Sequence, residues 1–140
     1  MPTPQTTSSP CRLRLIPAAK VVRFAVIHQE AVIQYYPSDV IPIDITPASL
    51  KLSERPAEGS VVVTKSHTFR VPAAGRDQQS LLDELSNTPL VALYRDEHGR
   101  EKVSGSPFYP LTLTAQPSGG TYSCTLAGKC TSLDLFVAPE

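Results

Sequence analysis

The stretch Ser60-Val61-Val62-Val63-Thr64-Lys65-Ser66-His67-Thr68-Phe69-Arg70-Val71 decides the fold class. Val61, Val63, Phe69 and Val71 fall on one parity, and Val62, Thr64, Ser66 and Thr68 on the other. Successive side chains of an extended chain point to opposite faces, so this is the pattern of a strand with one face turned to a core. Lys65 and His67 interrupt the apolar parity, and a bend, a bulge or an exposed middle is the expected accommodation.

On both sides of this segment the chain offers more short, β-branched runs separated by turn residues. Fourteen prolines spread from Pro2 to Pro139 exclude long helices, because a proline in a helix interior costs about 3 kcal/mol. Val21 to Ile27 and Ala31 to Tyr36 read as a hairpin turning through His28-Gln29-Glu30. In Val40-Ile41-Pro42-Ile43-Asp44-Ile45 the residues Ile41, Ile43 and Ile45 share a face, and Pro42, which cannot donate to a ladder, places the strand at an edge or a corner. One short helix is expected over 77–87: Asp77 is a cap candidate, Leu81, Leu82 and Leu85 share a face, and Asn87 and Pro89 stop it. So short a helix is stable only when docked on a sheet.

Beyond Pro89 the pattern predicts an antiparallel meander. Leu90 to Arg95 and Arg100 to Ser104 are two arms joined by the turn Asp96-Glu97-His98-Gly99. Leu111 and Leu113 alternate with threonines, Pro117-Ser118-Gly119-Gly120 is a turn, and Thr121 to Leu126 is expected to pair across Gly128 with Thr131 to Val137. The expected fold is mainly β, an antiparallel sandwich or partly open barrel with one short α-helix. Residues 1–10, rich in proline, threonine and serine, are expected to form a flexible arm, and 11–140 a single β-rich domain.

The chain has 140 residues, of which 41% are apolar and 19% charged, so it is expected to fold around one ordinary core. It contains no apolar run of the roughly 18 residues that a membrane-spanning helix needs. Thirteen basic residues balance thirteen acidic ones and are scattered along the sequence, so no one-sided basic patch for nucleic acid is evident. No secretory signal opens the chain, and Cys11, Cys124 and Cys130 are therefore expected to be free thiols. A Cys124–Cys130 disulfide is the alternative, available if Leu126-Ala127-Gly128 turns the chain so that the two positions pair.

No residue set carries recognisable catalytic chemistry. Asp96, Glu97 and His98 are adjacent, and adjacent side chains diverge, so a solvated turn is preferred to a metal site. His28 and His67 have no partner at ligand or triad spacing, Ser104-Gly105-Ser106 does not fit a nucleophile elbow, and the glycines form no phosphate loop. The expectation is a protein that is not an enzyme and uses no cofactor or metal. Tyr35, Tyr36, Phe108 and Tyr109 are candidate aromatic contacts for a glycan or peptide, with core packing as the preferred reading.

The stretches Leu81-Leu82-Asp83-Glu84-Leu85, Leu90 to Gly99 and Gly105-Ser106-Pro107-Phe108-Tyr109-Pro110-Leu111 resemble small β-rich proteins from the tail-gene regions of bacteriophages and prophages of gut bacteria. The resemblance covers roughly residues 60 to 137 and lies in a short helix, a strand, a D-x-x-G type turn and a glycine-serine step leading to Pro-Leu. It implies a virion structural protein of the tail or connector, assembled in the host cytoplasm and acting through subunit interfaces. Its partners would be copies of itself and neighbouring virion proteins, without direct nucleic-acid or membrane contact. The candidate interface is the strand bearing Ile41, Ile43 and Ile45, which could recruit another subunit by strand addition. A small β-sandwich module that binds a glycan or a peptide is the alternative function.

Overall fold

A computed structural model describes residues 12–46, 49–56, 59, 62–72, 76–96, 98–131 and 133–138. The expected amino-terminal arm, residues 1–10, and Cys11 lie outside them.

The described chain is mainly β, with eleven strands in two sheets and one helix. In chain order the strands are β1 (Arg12–Pro17), β2 (Val21–Ile27), β3 (Glu30–Tyr35), β4 (Ile41–Asp44), β5 (Glu54–Pro56) and β6 (Val63–Pro72). After α1 (Arg76–Leu85) come β7 (Leu90–Arg95), β8 (Glu101–Ser104), β9 (Thr112–Ser118), β10 (Thr121–Cys130) and β11 (Leu135–Val137). Seven strands form one sheet in the order β2-β3-β11-β8-β7-β1-β4, and four form the other in the order β5-β6-β10-β9. The arrangement is sandwich-like and open at its edges.

Strand β6 answers the question its sequence raises. It is regular over all ten residues, with strictly alternating burial, and Lys65 and His67 sit on the inward face beside Val63, Phe69 and Val71. The expected bulge or exposed middle is absent, because both polar side chains find buried partners elsewhere in the fold. The outward parity carries Thr64, Ser66, Thr68 and Arg70.

The main core lies between the sheets. Leu13, Leu15, Ile43, Ala92 and Tyr94 from the larger sheet meet Phe69, Val71, Leu113 and Leu126 from the smaller one. Helix α1 adds Leu82 and Leu85 to this cluster, with Leu81 half-buried against it. The helix begins at Arg76, so Asp77 lies within its first turn. At the far end hydrogen bonds from the amides of Ser86, Asn87 and Thr88 wind the chain down toward Pro89.

A second cluster of Ile16, Ala31, Ile33, Val91, Leu93 and Val103 belongs wholly to the larger sheet. Strand β7 therefore reads as the continuous apolar run Leu90 to Tyr94, buried on both faces, which is the mark of a central strand. Phe24, Tyr35, Leu135 and Val137 pack on this cluster from the same sheet.

The carboxy-terminal half departs from the expected meander. The β7–β8 and β9–β10 hairpins form as expected, the latter through Gly119 and Gly120, both at positive φ as a two-residue hairpin turn requires. The two hairpins belong to different sheets, however, and no turn occurs at Gly128. Strand β10 runs straight through this glycine to Cys130, and a Cβ there would lie 2.9 Å from the Pro110 carbonyl oxygen. The glycine serves a close backbone approach, the other common reason for glycine within a strand. Only Leu135 to Val137 of the expected last arm is strand, parallel to β3 and antiparallel to β8 in the larger sheet.

Candidate functional site

Two features stand out: a buried polar cluster between the sheets and an apolar cleft that shares a wall with it. The cluster follows from the inward parity of β6. Lys65 is 1% exposed, His67 2% and Ser104 fully buried, and charges at such depth persist only when paired. The partner is Asp134, in the segment linking β10 to β11.

Lys65 Nζ donates to Asp134 Oδ1 and stands 3.2 Å from Glu54 Oε1. Tyr94 donates its hydroxyl to Asp134 Oδ2, and His67 Nε2 lies 3.3 Å from the same oxygen and 2.9 Å from Ser104 Oγ. The Asp134 amide donates to Glu54. Strands β5, β6, β7 and β8 are thus tied together around Asp134: Lys65, His67 and Tyr94 meet its carboxylate, Glu54 its amide, and Ser104 joins through His67. Burial alone would raise the pKa of that carboxyl, but the hydrogen bond from His67 and the charge and hydrogen bond of Lys65, with the Tyr94 bond, hold it well below the usual carboxylate range. Burial, reinforced by the Asp134 charge, pushes the Tyr94 phenol far up, so it remains a donor.

Ser104, His67 and Asp134 make a serine–histidine–aspartate set, but not one wired for nucleophilic attack. In a working triad the serine and the carboxylate use opposite ring nitrogens, so that the ring can take the serine proton while the carboxylate holds the other N–H. Here both face Nε2, and Nδ1 accepts the Ser53 backbone N–H at 3.2 Å. Accepting at Nδ1 places the ring proton on Nε2, which makes the imidazole a donor toward Ser104 and Asp134. Ser104, with no exposed surface, is also out of reach of a substrate. The set is built to clasp the two sheets. Among the described residues no group of three or more histidine, cysteine, aspartate or glutamate side chains is placed to hold a metal ion.

The cleft has a volume of about 200 Å³ and is walled chiefly by Phe24, Val26, Val103, Leu133 and Leu135, with Phe108 and Tyr109 contributing from the segment after β8. Lys65 and Cys130 form its inner wall. Phe108 is 75% exposed, Val26 55% and Leu133 50%, which leaves an apolar surface around the opening. A space of this size admits a ring or a branched aliphatic side chain.

The cleft lies against β2, an outermost strand of the larger sheet. The β2–β3 hairpin turns through His28 and Gln29, at φ 54° and 67°, so Ile27 and Glu30 close the ladder as a hydrogen-bonded pair. Counting back, Ala25 bonds to Val32, while the N–H and C=O groups of Phe24 and Val26 point away from β3. Among the described residues no strand pairs with that side of β2.

The residues singled out from sequence are dispersed by the fold. Strand β4 is at a sheet edge, as Pro42 requires, but Ile43 and Ile45 are buried in the main core and Ile41 packs half-buried against it. The isoleucine face is therefore corrected from interface to core: the smaller sheet covers it, and Ile43→Lys would bury an unpaired charge. Phe108 and Tyr109 sit together at the cleft and are exposed, which overturns core packing for this pair. Tyr35 packs on the second cluster, and Tyr36 is exposed away from the cleft lining.

Cys124 and Cys130 are free and buried on one strand, six residues and roughly 20 Å apart, far beyond the reach of a disulfide. Burial pushes the Cys124 thiol up to about 11 and raises that of Cys130. His28 and His98 are exposed in turns, and Asp96 Oδ1 is occupied by the backbone N–H groups of His98 and Arg100, each at 2.9 Å; the Glu97 side of the turn lies outside the described residues.

No helix of the described chain is long and apolar enough to cross a membrane. No protein-family model, curated protein or solved structure matches this chain.

Proposed function

We propose that this chain is an interface-forming structural subunit that assembles by strand addition at the outer edge of β2. In the setting that its sequence resemblance implies, a virion tail or connector, the partner is another copy of the chain. One observation carries this reading: the main-chain groups of Phe24 and Val26 that point away from β3, with no strand paired to them among the described residues, lie directly beside an apolar cleft. Strand addition draws affinity from main-chain hydrogen bonds and specificity from pockets that take alternate side chains. Val22, Val26 and Ile27 are exposed on β2, an unusual concentration of apolar surface for an edge strand that is to remain single. The chain carries no net charge, so copies meet without long-range repulsion.

The test separates main chain from side chain. Val26→Pro removes an outward N–H without touching the β3 ladder, whereas Val26→Ala keeps that donor. In sedimentation velocity the parent chain and Val26→Ala should associate, and Val26→Pro should remain a folded monomer. A parent chain that stays monomeric at millimolar concentration, or a Val26→Pro variant that associates like the parent, overturns the proposal. The alternative, a module that captures a foreign peptide, uses the same edge and cleft; it replaces self-assembly if a library of extended peptides protects the amides of Phe24 and Val26 in a monomeric protein.

A further inference from the structure

The smaller sheet turns its other face to solvent, and the register shows what lies on it. Thr68, Thr125 and Thr114 form one row across β6, β10 and β9, and Ser66, Ala127 and Thr112 form the next. All except Thr125, which is half-buried, are exposed. Lys51 and Arg55 pair with Thr68 and Thr64 on the same face, and Arg70 and Lys129 complete it. All four cations are exposed, none has an ion-pair partner among the described residues, and no described carboxylate occupies a register position on this face. A chain with thirteen basic and thirteen acidic residues thus presents one face on which the charged register positions among the described residues are all cationic. Residues scattered along the sequence are gathered by strand pairing.

We propose that this face binds a uronic-acid polysaccharide. The charge pattern argues for a sparsely charged polymer: Arg55 and Lys129 share a row two strands, roughly 10 Å, apart, and Arg70 stands six residues, roughly 20 Å, further along β6. A nucleic-acid strand carries a phosphate about every 3.4 Å and draws its affinity from many of them, far more than four dispersed cations can match. Single-stranded nucleic acid also needs rings on which bases stack, and none of these register positions is aromatic. A polyuronate carries one carboxylate per ring, with hydroxyls between. The guanidinium groups of Arg55 and Arg70 suit carboxylates, and the rows of threonine and serine hydroxyls can donate to and accept from the sugar hydroxyls.

The experiment is calorimetric titration of the full chain with a polygalacturonate oligomer and, at matched anionic charge, with single-stranded DNA. The expected result is polygalacturonate binding that survives at a salt concentration where the DNA is released. Replacing Arg55, Arg70 and Lys129 together with glutamine should weaken it at least tenfold. Thr68→Val with Thr114→Val should weaken it about threefold without changing its salt dependence. Because all five positions are exposed, unchanged thermal unfolding of the variants will show that they remain folded. Failure of polygalacturonate to bind, DNA binding as tight or tighter, or a triple variant that binds like the parent overturns the proposal. Self-assembly at β2 can stand or fall independently, because the two surfaces belong to different sheets.

Discussion

The two halves of strand β6 close the space between the sheets by opposite means. Its carboxy-terminal half offers Phe69 and Val71 to a cluster that includes Leu82 and Leu85 of α1. Its amino-terminal half offers Lys65 and His67 to Asp134, Tyr94 and Ser104. Apolar burial is non-directional, so the first half stabilises the fold but tolerates changes of shape that conserve volume. The second half works through individual bonds, each with a named partner. It contributes geometry: Asp134 is bound to β5, β6 and β7 together, which fixes the segment leading into β11 against both sheets. That segment carries Leu133, and with it one wall of the cleft.

The sharpest way to break the contrast is Lys65→Met. It preserves length and apolar packing but leaves Asp134 buried with Tyr94 and His67 alone, so a loss of about 4 kcal/mol is expected in urea titration. Adding Asp134→Asn removes the stranded charge and should recover at least half of the loss. A single variant that costs less than about 1 kcal/mol would show that water reaches the clasp. At the apolar half, Leu85→Ala should cost about 3 kcal/mol by leaving a cavity under the helix, with no comparable rescue by a second small change. A loss as large as that of Lys65→Met, with rescue by a neighbour, would erase the distinction between the two halves.

Acid separates them further. The folded-state pKa of Asp134 lies below its unfolded value, so the unfolded chain binds more protons in the interval between the two. Its contribution is complete above the ordinary carboxylate range and is lost as the pH falls from roughly 4 toward the depressed folded-state value. Stability measured by denaturant across that range should fall more steeply for the parent than for Asp134→Asn. Leu85→Ala should keep the parent slope and shift only the intercept.

The contrast also governs what was legible in the sequence. Periodicity located β6, the helix and the β7–β8 and β9–β10 hairpins, because those signals are local. The clasp left a visible trace, two polar residues at i and i+2 on an otherwise apolar parity, but its partner lies 69 residues from Lys65. Without that partner, a bulge was the cheaper explanation. Gly128 misled in the same way: a close approach to Pro110 and a turn call for the same residue, and only the tertiary contact tells them apart. Pro42 correctly marked β4 as an edge, but edge position concerns main-chain bonds, whereas the burial of Ile43 depends on which face the second sheet covers. The cleft was visible only as its parts, Phe108 and Tyr109 among them. Its other walls come from β2 and the segment before β11, which nothing in the sequence brings together.

The smallest expected effect discriminates most between a clasp and a catalytic site. Ser104 Oγ is one of two acceptors facing His67 Nε2, the other being Asp134 Oδ2. Removing the hydroxyl leaves the imidazole N–H with a partner and leaves only a methyl-sized change in a fully buried position. Ser104→Ala should therefore cost about 1 kcal/mol, the net worth of an ordinary hydrogen bond, whereas His67→Ala should cost more because it strips both Ser104 and the Ser53 N–H of their partner. Paired urea titrations of the two variants measure this order directly. A nucleophilic serine would behave otherwise: its replacement would leave stability almost unchanged and abolish modification by a fluorophosphonate probe. If the native parent chain reacts with that probe at Ser104 and the Ser104→Ala variant does not, the serine reaches solvent, and the clasp has to be read as an active site.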